Sequence, residues 1–107
     1  MAKPKLLLAD DSITIQKVVS LTFVDRGMDV VVFSDGDAAI EHLDEEKPDI
    51  VLADVNMPGI NGYQVCELIR SNDGTKETPV VLLVGSFEPF DNDEADRVGA
   101  NSHLTKP

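Results

Sequence analysis

The chain has no tryptophan, one tyrosine and one cysteine, and only nine basic residues stand against twenty acidic ones. Each shortage excludes something. A single cysteine, Cys66, allows no internal disulfide and no cysteine-based zinc site. Its place among the apolar positions of Tyr63-Gln64-Val65-Cys66-Glu67-Leu68-Ile69 suits a small buried hydrophobe on a helix better than a reactive thiol. A formal charge of −11 leaves no basic footprint for nucleic acid or for an anionic membrane surface. No apolar run approaches the ~20 residues of a membrane-spanning helix. The basic start Met1-Ala2-Lys3-Pro4-Lys5 has no apolar stretch behind it, so no signal peptide is read and a cytoplasmic location is expected. There is no low-complexity tract and no internal repeat. No glycine-rich turn follows the first apolar run, which excludes a dinucleotide-binding fold.

What is present suits one small domain: 107 residues, 42% hydrophobic and 27% charged. Short apolar runs at 5–10, 29–33, 50–54 and 80–84 read as strands, and Ser102-His103-Leu104 as a short last one. Helical patterns lie between them. Ser12 caps the first, which runs to about Arg26 and stops at Gly27, burying Ile15, Val18, Val19 and Phe23. The second covers Asp37 to Glu46, with Ala38, Ile40 and Leu43 as apolar positions and His42 on the surface, and Pro48 ends it. The third covers Tyr63 to Ser71, burying Val65, Leu68 and Ile69. The fourth covers roughly Asp91 to Val98 and ends at Gly99. Strict strand–helix alternation implies an α/β fold with a parallel sheet, and nearly all-apolar strands imply helices on both faces. Four helices for two faces of five strands leave one face short of cover.

Three aspartates close two of these runs: Asp10 and Asp11 after Lys5–Ala9, and Asp54 after Ile50–Ala53. Ligands in such folds bind beyond the carboxyl ends of the strands. If the two strands are neighbours, the carboxylates converge, and like charges ~4 Å apart repel by roughly 4 kcal/mol at an effective dielectric of about 20. A cation or a retained proton must offset that repulsion. Other acidic runs ask for less. Asp91-Asn92-Asp93-Glu94 reads as a solvated helix start, and its spacing does not match a calcium loop.

The acidic pair with Ala9 and Ser12, Asp54 two residues before Asn56-Met57-Pro58-Gly59, and the terminal Lys106-Pro107 together resemble the receiver domain of two-component response regulators. The resemblance spans the chain. It implies a doubly wound, flavodoxin-like sheet of order 2-1-3-4-5, with the usual last helix absent after the fifth strand. It implies that Asp54 accepts a phosphoryl group from a bacterial histidine kinase or phosphotransfer protein. Asp10, Asp11, Asp54 and the backbone carbonyl of Asn56 would bind Mg²⁺, and Lys106 would reach the phosphoryl oxygens. The Lys106-Pro107 peptide is expected to be cis, which only X-Pro bonds adopt at low cost. Carboxylates, a carbonyl and waters suit a hard octahedral ion. Phosphoryl transfer needs mainly positioning and charge neutralisation, which Mg²⁺ and a lysine supply. The domain would catalyse only its own phosphorylation and dephosphorylation. An output domain or a dimer partner is a further expectation.

Two positions depart from the family pattern. A hydroxyl residue normally ends the fourth strand and an aromatic one lies in the last; here they are Val84 and His103. Ser86 supplies a hydroxyl only if its loop is rearranged. The loop Gly85-Ser86-Phe87-Glu88-Pro89-Phe90 offers Phe87 and Phe90 either to the end of the fourth strand or to a partner. These departures keep a second reading open, a pseudo-receiver that docks partners without phosphorylation. A third, a phosphohydrolase of the haloacid dehalogenase type, wants Asp-x-Asp after one strand and more chain for a cap domain.

Overall fold

Five strands pair into one parallel sheet in the computed structural model, which describes residues 3–106. In chain order the elements are β1 (Lys5–Ala9), α1 (Ile13–Val24), β2 (Asp29–Phe33), α2 (Gly36–Glu41), α3 (Leu43–Glu46) and β3 (Ile50–Asp54). Then come α4 (Gly62–Ser71), β4 (Val80–Val84), α5 (Asn92–Val98) and β5 (Ser102–Thr105). The strand order is β2-β1-β3-β4-β5, as the family resemblance implies.

Alternation along the strands divides the core. Leu7, Ala9, Val51, Ala53, Val80, Leu82 and Val84 pack with residues of α2 to α5, among them Ala39, Leu43, Val65, Cys66, Ile69 and Val98. On the opposite face Leu6, Leu8, Leu52 and Leu83 pack with Ile15 of α1. Among the described residues α1 is the only helix on that face. Leu104, opposite Leu83 in the register, is consequently 53% exposed. Cys66 is buried, as expected, and its Sγ donates to the Val98 carbonyl.

The structure corrects several sequence readings. The helix expected over Asp37–Glu46 is two short helices, broken at His42. The His42 ring stacks on Phe33, and its Nδ1 lies 2.9 Å from the Ala38 carbonyl, which the His42 backbone N–H also uses. Side-chain competition for that carbonyl and the ring contact turn the chain there. Ala39 rather than Ala38 is the buried alanine. Val18 and Leu68, expected in the core, are 43% and 44% exposed. Val18 has no second helix beside it on the α1 face. On α4, contacts with both α2 and α5 widen the buried stripe to Tyr63 and Cys66 and leave Leu68 outward. Helix α1 also ends at Val24, before Arg26, and Gly27 completes the turn with φ +81. No helix among the described residues is long and apolar enough to cross a membrane.

Candidate functional site: an acidic pocket with one lysine

Neighbouring β1 and β3 run in register, with Ala9 opposite Ala53, so the residues that follow them meet at one edge of the sheet. Asp10 is fully buried there. Its N–H donates to Phe33, and its Oδ1 accepts the Ser12 N–H at 2.8 Å. Ser12 in turn caps α1, so the turn that starts the helix also aims Asp10. Asp10 Oδ2 is buried without a hydrogen-bond partner. Asp54 is equally enclosed. Its Oδ1 accepts the Asn56 N–H at 3.1 Å, and its Oδ2 accepts from Lys106 Nζ at 2.8 Å. Asp11 is exposed at the rim. One oxygen from each of Asp10, Asp11 and Asp54 lies within 4.8 Å of the others.

Lys106 follows β5, and its backbone N–H bonds the Val84 carbonyl at 2.7 Å. That bond brings the lysine over the end of β4 toward β3. Its ammonium stands 3.6 Å from Asp10 Oδ2, an ion pair too long for a hydrogen bond. Burial works against the lysine's charge, but the hydrogen bond to Asp54 and the carboxylates of Asp10, Asp54 and Glu88 outweigh it, and the Lys106 pKa rises. For Asp10, burial is the largest influence and pushes its carboxyl up from the usual range. The Ser12 N–H and Lys106 oppose this, while Asp54 and Asp11 add to it.

An unpaired, buried carboxylate oxygen beside two further carboxylates is an oxygen-rich donor set short of positive charge. It fits a hard divalent cation such as Mg²⁺, which takes oxygen ligands and keeps several waters. The exposed Asp11 leaves the rim open to those waters.

The pocket floor depends on a close approach by α4. A Cβ on Gly62 would lie 2.5 Å from the Asp54 carbonyl oxygen and 2.9 Å from its carbon. Gly62→Ala is therefore expected to cost at least about 1 kcal/mol, because backbone must move to admit the methyl group. A lower urea midpoint with an unchanged slope would be the sign of it.

The remaining nominated residues are dispersed around the pocket. Val84 is buried in the core and has no hydroxyl to offer. Ser86 Oγ donates to the Lys106 carbonyl at 3.4 Å and makes no hydrogen bond to Asp54. His103 is exposed and stacked on Phe90 at 4.0 Å between ring centroids. Phe90 also packs against Tyr63, whereas Phe87 is fully exposed, so the two phenylalanines of this loop do different things. Asp91 caps α5 through the Glu94 N–H, the solvated helix start expected. The proposed cis peptide at Lys106-Pro107 lies outside the described residues. The sequence reading passed over Glu88, whose carboxylate reaches the pocket's rim; only the neighbouring Gly85 hints at so close an approach.

Residues 6–107 match the response regulator receiver domain family. The chain is 36% identical over 103 residues to protein PilG of Pseudomonas aeruginosa, covering 96% of this chain and 76% of PilG. It is 32% identical to the transcriptional regulatory protein PhoP of Bacillus subtilis, of which it spans 42%. Among solved structures, the Vibrio cholerae chemotaxis protein CheY4 superposes with a TM-score of 0.91 at 35% identity, covering 99% of this chain and 88% of that one. The receiver domain of a Pseudomonas aeruginosa sensor histidine kinase, solved with a magnesium ion in its active-site cleft, gives a TM-score of 0.88 at 25% identity, with 99% and 87% covered.

Proposed function

This chain belongs to the response regulator receiver domain family, and on that footing we propose that Asp54 is a phosphoacceptor charged by a histidine kinase or phosphotransfer protein. The observation that carries the proposal is the Asp10 oxygen left unpaired beside Asp54 and Lys106. Asp10 and Asp11, with Asp54 and the carbonyl of Asn56, would hold Mg²⁺. When bound, the ion neutralises charge on the transferring phosphoryl oxygens.

The chain's own residues do the rest. The Asn56 N–H and Lys106 fix the two oxygens of Asp54, so the carboxylate meets phosphorus in one orientation. An Asp54 oxygen bonds to phosphorus as the donor's phosphorus–nitrogen bond breaks. The electron pair leaves with the donor imidazole, which then takes a proton from water. Lys106, already 2.8 Å from Asp54, stays within reach of the phosphoryl oxygens and balances their charge. In this reading the domain turns over no outside substrate.

Incubation with Mg²⁺ and acetyl phosphate is expected to add one phosphoryl group, read as intact mass. Asp54→Asn should add none, and chelation should prevent addition to the natural chain. No adduct at any Mg²⁺ concentration would favour the pseudo-receiver reading instead, which the absence of a hydroxyl at Val84 supports. Continuous hydrolysis of unrelated phosphoesters would overturn both.

A further inference from the structure

The loop between β4 and α5 carries a carboxylate that phosphoryl transfer does not use. Glu88 Oε1 accepts the Gly85 N–H at 2.6 Å, and its Oε2 accepts the Asn56 side-chain amide at 3.0 Å. Gly85 is the first residue beyond β4, and Asn56 lies two residues beyond β3. These strands are neighbours, with Asp54 opposite Leu83. One side chain therefore ties together the loops that leave the sheet on either side of the Asp54 pocket.

The position before it is shaped for this contact. A Cβ on Gly85 would sit 2.5 Å from Glu88 Oε1 and 3.1 Å from its Cγ and Cδ. Any side chain at 85 would push the carboxylate away. The electrostatics agree with the geometry. The Asn56 amide, the Gly85 N–H and, more weakly, Lys106 hold the Glu88 carboxyl below the usual range against a small opposing effect of burial.

Backbone N–H groups past a strand end, beside an ammonium, form a cradle for an anion. A phosphoryl group brings about two negative charges and three acceptor oxygens. We propose that Glu88 is a built-in competitor for this cradle, holding the Gly85 N–H until an anion on Asp54 displaces it. This rests on the phosphoacceptor reading and deepens it. Where the family pattern has a hydroxyl that the phosphoryl group draws inward, this chain has Val84 and cannot respond in that way. Release of Glu88 supplies another response: the Gly85–Phe90 segment loses its tie to Asn56, and the fully exposed Phe87 moves with it.

The test uses beryllofluoride with Mg²⁺ as the phosphoryl stand-in, followed by amide NMR. Glu88→Gln keeps the shape and removes the charge. Gly85→Ala keeps the charge and evicts the carboxylate, at a residue whose φ lies outside the left-handed region. Both variants are expected to bind beryllofluoride more tightly than the natural chain, Glu88→Gln by roughly tenfold. In the natural chain, binding should speed hydrogen exchange at the Gly85 amide, and Glu88→Gln should speed it without ligand. Equal or weaker binding by both variants, with the natural chain forming its adduct normally, overturns the competitor role and leaves Asp54 as the acceptor. Absence of an adduct in all three chains overturns the phosphoacceptor reading, and the competitor role falls with it.

Discussion

Lys106→Ala is expected to destabilise the chain by about 3 kcal/mol at neutral pH without divalent cations, the order seen when one partner of a buried ion pair is removed. Lys106 is the only cation within 4 Å of Asp10 or Asp54 among the described residues. Its side chain is only 16% exposed, so solvent screens the interaction far less than it would at the surface. Without it, two buried carboxylates face each other with Asp11 at the rim. The chain can respond by protonating Asp10, whose carboxyl burial already pushes up. That response limits the loss and sets its pH dependence. In acid the carboxylates are neutral and the variant lies close to the natural chain. As pH rises through the raised value of Asp10, the native state must give up that proton against repulsion, and the deficit grows to its full size. Mg²⁺ should recover much of it by replacing the missing charge. Urea unfolding across pH, with and without Mg²⁺, checks each part. A deficit as large in acid as at neutral pH would mean that packing of the lysine stem, not its charge, was lost.

Asp10→Asn should act in the opposite direction, raising metal-free stability at neutral pH by about 2 kcal/mol, within the range for relieving a buried polar group without a partner. Asp10 binds its proton more tightly folded than unfolded. Between its ordinary value of 3.8 and the raised folded one, the native chain therefore holds more protons. Stability attributable to Asp10 is full below that window and is lost as pH rises through it. Asparagine never charges, so the loss disappears. Its amide oxygen can still accept from Ser12, while its amide nitrogen gives up the 3.6 Å ion pair of Oδ2 with Lys106, which limits the gain. In the proposed function the same change removes a metal ligand. The natural chain should gain about 2.7 kcal/mol from Mg²⁺ at a hundred times its dissociation constant, and the variant should gain almost nothing. Thermal unfolding at several Mg²⁺ concentrations separates the two effects. Unchanged metal-free stability in Asp10→Asn would show that water already satisfies the orphaned oxygen.

Much of this site is legible along the chain because its parts are local. Acidic residues follow apolar runs at Ala9 and Ala53, strand–helix alternation makes those runs strands of one parallel sheet, and the family resemblance implied that they are neighbours, as the structure shows. The caps are local too: Ser12 and Asp91 each serve an N–H three residues on. What escaped depends on partners distant in sequence. Leu68 fits a helical stripe as well as Ile69 does, and only the placement of α2 and α5 beside α4 decides which is covered. His42 looks like any surface helix residue until Phe33 offers a ring to stack on. Glu88 looks like an ordinary loop acid, because its donor Asn56 lies 32 residues away.

The sequence by itself determined the alternation of elements and which strand ends carry carboxylates, since both follow from side-chain chemistry within a few residues. Tertiary structure alone decided which oxygen of Asp10 lacks a hydrogen bond, that Ser86 bonds the Lys106 carbonyl, and that Glu88 ties the loops at the pocket's rim. Lys106, 52 residues from Asp54, was expected at the pocket from the family resemblance, and the structure fixed its 2.8 Å contact with Asp54. Those outcomes depend on sheet register and loop packing, which bring together charges that no local pattern relates.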